Sequence, residues 1–494
     1  MDRDVDMDID EQPSTSAPKA SSSSAVASNP DPATPLNLDL EAYISSYTGR
    51  TAIDRLIRIV SVCPPIASEA FVLAVQKIQE GRDPTVYQAL CNAYEGGIGE
   101  MPALDGKWVD ETIKRNQAEK VKLEGELKTY SNNMIKESIR MGHRDLAEFY
   151  RSVGDYPAAL KHWTKSREFC TTSQHVLDGC ISILELLIEQ RNYAHLPTYI
   201  FKAESALEGA SSALNAASKD KERDTGSTAG SSKKAQANIP DIDVLRSKLD
   251  FANGLSQLSQ GNYERAAYFF LRLSGLGDWF GKLVSQADIA IYGVICGLSS
   301  QSRSAFKAQV IENLPFSAFI EQEPYIREIV ESYMSSNFKG VLELLSKHHT
   351  RHVLDIHLFP HIPTLLSLTR SRLVTLYFTP FSTVKLDRMA EAFGWSVEDT
   401  EEFVVGLIRS GGIKGRVDSQ GKVLQVKGKD RGGGREEVFV NALRTGVEMK
   451  RMTGKLLYRM KLQQLDLVIK QPKNQNQERG DGRGGQGSQV VEVD

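Results

Sequence analysis

The feature that most constrains this chain is a spacing that recurs. Leu146, Ala147 and Tyr150 precede Gly154-Asp155-Tyr156, which is followed by Ala159, Leu160 and Trp163. The second half returns at Gly261-Asn262-Tyr263, Ala266, Ala267 and Phe270 with every interval kept. Weaker echoes stand at Asn192, Tyr193, Leu196 and Tyr199, and at Asn337, Phe338, Val341, Leu342 and Leu345. A Gly-Asx pair suits a tight turn with positive φ, the aromatic begins the next helix, and Ala lets antiparallel helices approach closely. Such a hairpin cannot bury its apolar face alone, so copies stack. The expected fold is mainly α: a TPR-like helical-repeat superhelix.

Around the repeats the composition shifts. Residues 1–35 combine Asp2, Asp4, Asp6, Asp8, Asp10 and Glu11 with a Ser/Ala/Pro tract and lack apolar periodicity, so a disordered tail is expected. Helical repeats are expected over 36–208 and 242–370, interrupted at 209–241 by a Ser/Gly/Ala segment expected to be disordered. Residues 471–494 are Gly/Gln/Asn-rich and expected to be a second disordered tail.

Over 371–427 the pattern changes. Ser382 or Thr383 is placed to cap a helix with Leu386, Met389, Ala390 and Phe393 on one face. Ser396 with Asp399 opens the next, which carries Val404, Leu407 and Ile408 inward. Two strands follow, Ile413 to Val417 and Lys422 to Val426, joined by Asp418, Ser419, Gln420 and Gly421. Helices ending in a hairpin make a winged-helix module. Its expected edge is the strand Lys422, Val423, Leu424, Gln425, Val426, which has no Pro to block pairing. After a linker at 428–434, a long C-terminal helix over 435–470 carries Met449, Met452, Leu456, Met460 and Leu467 along one side, a stripe shaped for subunit assembly.

Catalytic patterns are missing. His348, His349, His352, His357 and His361 cluster, but no HExxH string accompanies them and Pro360 and Pro363 interrupt any helix presenting the later pair. They read as solvated or helix-end histidines, and no metal or other cofactor is expected. Gly275, Gly277 and Gly281 do not have dinucleotide-loop spacing, and neither a phosphate loop nor a nucleophile elbow occurs. Cys63, Cys91, Cys170, Cys180 and Cys296 are scattered and unpaired in pattern, as in a reducing compartment. The longest apolar run, Ile289 to Leu298, is about half of a bilayer span. The acidic start does not look like a signal peptide, so cytoplasm and nucleus are expected.

Charge also bears on nucleic acid. The formal net charge is -3. The helix after Ser396, which would read a DNA groove, carries Glu398, Asp399, Glu401 and Glu402 against Arg409, which repels a phosphate backbone. Cations gather instead at Lys414, Arg416, Lys422, Lys427, Lys429, Arg431 and Arg435, either a solvated loop or a basic docking surface for an acidic protein.

Helical repeats running into a winged helix and a terminal helix resemble the PCI family of the proteasome lid, the signalosome and translation initiation factor three. The resemblance is closest to the signalosome branch. It rests on Leu38-Asp39-Leu40-Glu41, Tyr43, Ser46-Tyr47 and Arg55-Leu56, on Arg167, Cys170-Thr171, His175-Val176 and Lys202-Ala203-Glu204-Ser205, and on Tyr377-Phe378, Asp387-Arg388-Met389-Ala390, Ala392-Phe393 and Arg416-Val417-Asp418-Ser419. It implies a non-catalytic scaffold subunit of a complex that removes a ubiquitin-like modifier from cullins (deneddylation) and so regulates cullin-RING ubiquitin ligases. The implied partners are other PCI-type subunits, through the complex its metalloprotease subunit, and cullin-RING ligases, with no membrane. A proteasome-lid subunit is the alternative, and a nucleic-acid-binding winged-helix protein the second.

Overall fold

The computed structural model describes residues 39–94, 106–223, 242–426 and 431–465. These fall in two compact units, within Met1–Ile413 and Lys414–Asp494, and are mainly helical.

In the first unit, helices Leu40–Ser45, Gly49–Val62, Ala67–Glu80 and Pro84–Tyr94 pack around Leu56, Ile59, Phe71, Ile78 and Leu90. Helical hairpins follow: Lys136–Val153 on Tyr156–Glu168, Ser173–Glu189 on Leu196–Arg223, Ile242–Ser259 on Tyr263–Leu271, and Pro324–Met334 on Phe338–Lys347. All four use one turn. Gly154, Arg191, Gly261 and Ser336 each adopt a positive φ, of 88°, 60°, 77° and 63°. The next residue's N–H then reaches the carbonyl five residues back: Asp155 to Tyr150 and Asn192 to Leu187 at 2.9 Å, Asn262 to Gln257 at 3.0 Å, Asn337 to Ser332 at 2.9 Å. This is the helix-ending arrangement that a left-handed residue permits. The Asx residue starts the next element, and Asp155 and Asn337 cap it by accepting from the N–H groups of Ala158 and Gly340. The weak echoes at Asn192 and Asn337 are therefore the same turn as the strong repeats, with Arg191 and Ser336 in place of glycine.

Helix Gln286–Ser300 holds the apolar run and is buried on all sides from Asp288 to Ser299, as a helix apolar all round should be. Close approach is built in: a Cβ on Gly254 would overlap the Phe270 ring. No single helix among the described residues is long and apolar enough to cross a membrane.

The unit continues through helix Ile362–Phe378 to a short strand, Thr383–Lys385, and helices Leu386–Phe393 and Val397–Arg409. Lys385, and not Ser382 or Thr383, stands at the N-cap position of the first of these last two and makes no side-chain capping bond, because Thr383 is already extended strand. Ser396 caps the second as expected, accepting from the Asp399 N–H at 3.1 Å.

The second unit opens on an antiparallel hairpin. Gly415–Asp418 pairs with Val423–Val426, in register Gly415 with Val426, Arg416 with Gln425, Val417 with Leu424 and Asp418 with Val423. Helix Arg431–Gln464 follows, beginning inside the stretch expected to be a linker. Helix Leu196–Arg223 likewise runs into the segment expected to lose structure at Gly209; residues 224–241 lie outside the described residues, as do 1–38 and 466–494. The chain is thus mainly α, with helical repeats, winged-helix elements and a long terminal helix.

Candidate assembly surfaces

Three polar centres stand out among the described residues, and the first is fully buried. Arg55 donates from Nη2 to Oδ2 of Asp288 (2.7 Å) and of Asp355 (2.9 Å), and from Nη1 to the Tyr43 hydroxyl (2.6 Å). Tyr47 and Tyr292 donate to the same carboxylates, each at 2.7 Å, and the guanidinium lies 4.0 Å from the Tyr47 ring centroid. Burial alone would raise the Asp355 carboxyl; the Arg55 charge overrides it and holds the group below its ordinary value. Burial prevails at Asp288, whose carboxyl is raised although Arg55 opposes it. With every partner inside the core, this centre ties the N-terminal helices to Gln286–Ser300 and the 355–358 turn. A second clasp has Glu185 accepting from Trp279 Nε1 (2.7 Å), Lys282 Nζ (2.6 Å) and Arg151 Nη1 (2.9 Å).

The third is the histidine cluster, and here the solvated expectation fails. His352 and His357 are buried. His352 Nε2 lies 3.3 Å from the Tyr325 hydroxyl, and His357 Nδ1 lies 2.6 Å from that of Tyr193. Burial pushes His352 down to about 3 and His357 down to about 4, so both are neutral core residues. His348 stacks on Tyr325 with centroids 4.0 Å apart. Among the described residues no three His, Cys, Asp or Glu side chains are placed to hold a metal ion.

The surfaces are more informative. Of the edge expected on Lys422, Val423, Leu424, Gln425 and Val426, the strand Val423–Val426 pairs with Gly415–Asp418 within the second unit. Leu424 is wholly buried, whereas Arg416 and Asp418 are exposed. Lys414, Arg416 and Lys422 are exposed. Lys427 and Lys429 lie outside the described residues, and Arg431 begins the terminal helix.

On helix Arg431–Gln464, Met449 is 70%, Met452 69%, Leu456 62% and Met460 62% exposed, while Leu467 lies outside the described residues. The sequence reading missed that Val438, Val440, Leu443, Val447, Tyr458 and Leu465 are exposed as well. Contiguous exposed apolar surface of this kind is uncommon on a soluble monomer.

The chain is similar to known proteins over most of its length. The family described as 26S proteasome subunit RPN7 matches residues 105–309, and the PCI domain matches 345–427. COP9 signalosome complex subunit 1 of Arabidopsis thaliana is 33% identical over 86% of this chain and 90% of its own length. Subunit 1b of Drosophila melanogaster is 31% identical over 88% and 87%. The 26S proteasome non-ATPase regulatory subunit 6 of Caenorhabditis elegans is 22% identical over 67% of this chain and 73% of its own length.

Proposed function

Because this chain belongs to the COP9 signalosome complex subunit 1 family, we propose that it is a scaffold subunit of that complex and supplies no catalytic residue to it. The observation that carries the reading is the terminal helix, whose apolar side chains between Val438 and Leu465 are exposed. Leaving such apolar surface in water is costly, and burying it among helices of other subunits removes it from solvent. The wing hairpin of Gly415–Asp418 and Val423–Val426 offers a second attachment, by main-chain pairing of its edge with a neighbouring winged helix. Lys414, Arg416 and Lys422 give this end a basic docking face for an acidic protein surface.

In this reading the complex removes a ubiquitin-like modifier from cullins, and the metalloprotease belongs to another subunit. Cullin-RING ligases are then its substrates, met in cytoplasm and nucleus. A proteasome-lid role is the second reading and rests on the RPN7 match; the lower identity to the lid subunit places it behind. The exposed acids Glu398, Asp399 and Glu402 on helix Val397–Arg409 weigh against DNA readout.

Affinity purification of the tagged chain followed by mass spectrometry decides between complexes. Recovery of signalosome subunits in equal amounts is the expected result, and recovery of the proteasome lid instead would refute it. The purified chain alone is expected to hold no zinc and to leave a cullin conjugate uncut.

A further inference from the structure

Helices Gly49–Val62, Ala67–Glu80, Lys136–Val153, Tyr156–Glu168 and Ser173–Glu189, with the 278–282 loop, line a cleft of about 1170 Å³ inside the first unit. It exceeds the roughly 300–1000 Å³ of small-molecule sites and has room for a stretch of peptide. Its lining combines two kinds of surface. Ile53, Val86, Tyr156, Trp163 and Phe280 are apolar or aromatic, whereas Arg50, Lys77, Arg82, Arg144 and Lys282 are cationic.

The acids that balance these cations differ in depth. Asp54, Asp83 and Glu185, which hold Arg50 and Lys282, are only 13%, 12% and 8% exposed, while Arg50 keeps 28% and Lys282 40%. The acids are covered, and the cations remain accessible. Lys77, Arg82 and Arg144 are paired with Glu80, Glu119 and Glu148 near the surface. Exposed pairs of this kind contribute little, so their cations can exchange one carboxylate for another.

The chain itself carries a segment of matching chemistry. Asp2, Asp4, Asp6, Asp8 and Asp10 alternate with Arg3, Val5, Met7 and Ile9. Successive side chains of an extended strand point to opposite faces, so such a strand has one face of carboxylates and one led by Val5, Met7 and Ile9. A helix would scatter the same carboxylates around its axis. Asp39, where the described chain begins, caps the short helix that leads to Tyr47, Thr48 and Gly49 in the cleft lining. Residues 12–38 intervene, and a chain of that length reaches about 90 Å when extended. A tethered segment competes at an effective concentration of about millimolar, so individually weak contacts suffice.

We propose that residues 2–10 bind this cleft of their own chain as an extended strand, with the Asp face on cations such as Arg50, Arg82 and Arg144 and the apolar face on Tyr156 and Phe280. The proposal is independent of the assembly reading and concerns a different part of the molecule. The bound segment covers the half-buried Tyr156 and Phe280 and keeps acidic segments of other chains out of the cleft until it is displaced.

A photo-crosslinking amino acid placed at Met7 of the purified full-length chain, kept dilute, tests this directly. The expected result is a crosslink within one molecule to residues of the cleft, Tyr156 or Phe280 among them. Capture of the 415–426 hairpin, capture of a second copy, or no capture would overturn the proposal. As a second measurement, Val5→Asp, Asp6→Val, Ile9→Asp and Asp10→Ile together keep composition and charge but break the alternation, and are expected to lower capture at least tenfold. Undiminished capture would refute the two-faced strand. Lys77→Glu with Arg144→Glu changes two exposed residues and is expected to lower capture at least tenfold with an unchanged circular-dichroism spectrum. Capture at the original level would refute attachment through the cations.

Discussion

Arg55 and Asp355 lie 300 residues apart and share a 2.9 Å hydrogen bond inside the protein core. The same guanidinium nitrogen reaches Asp288, so one cation neutralises two carboxylates that would otherwise face each other in a dry interior. Replacing Arg55 by Leu strands those charges, and removal of one partner from a buried ion pair costs about 3–5 kcal/mol. Urea unfolding should show a loss of that size, and Arg55→Lys should restore only part of it, because an ammonium lacks the planar fork that reaches Tyr43 and both acids. A loss below about 1 kcal/mol would mean the centre contributes little to stability.

The buried histidines set a pH dependence. His352 and His357 have folded values of about 3 and about 4, below the ordinary 6.5, so between those limits the unfolded chain binds more protons than the folded one. Stability therefore rises with pH through this window; their contribution is complete above about 6.5 and is lost as pH falls toward 4. Unfolding at pH 7.5 and 5.5 should show lower stability at 5.5, and replacing His357 by Gln should reduce the difference without abolishing it, since His352 remains and burial also pushes His143 down to about 4. An equal difference in the variant would assign the effect to other groups.

The repeat turns separate two costs. Gly261 has φ of 77° with open space around its Cα, so Gly261→Ala should cost only the left-handed backbone term, about 1–2 kcal/mol. At Gly154, φ is 88° and an added Cβ would run into the Asp83 carboxylate, which Arg50 binds at 2.6 Å. Gly154→Ala should therefore destabilise more than Gly261→Ala, by thermal melts of the two variants. The reverse order would show that the Asp83 contact yields freely.

Leu456→Asp with Met460→Asp puts charge on residues that are solvent-exposed in the free chain. The melting temperature and helical signal of the isolated chain should not change, while co-purification with partner subunits fails, since a charge buried at a seam costs several kcal/mol. Unfolding of the isolated variant would place these residues in this chain's own core.

How much of this was legible in sequence depended on whether the signal was local. The turns at Gly154 and Gly261 were readable because backbone geometry restricts which residues fit, and the Ser396 cap because its partner is three residues away. The turns at Arg191 and Ser336 gave only faint echoes, since neither residue advertises a positive φ. The Arg55 centre was invisible: Tyr43, Arg55, Asp288, Tyr292 and Asp355 are common residue types joined only by tertiary packing. The histidines misled for a related reason, because a polar cluster reads as surface until the helices that cover it are known. The further exposed apolar residues of the terminal helix were missed because residues spread around a helix cancel in a search for one face.

That terminal helix also bears on how much of the protein a cell can keep. A copy made without its partners displays the kind of apolar strip by which chaperones and proteases recognise damaged chains. Surplus copies are then expected to be short-lived, so that the steady level of the chain would follow the scarcest of its companions and not its own rate of synthesis.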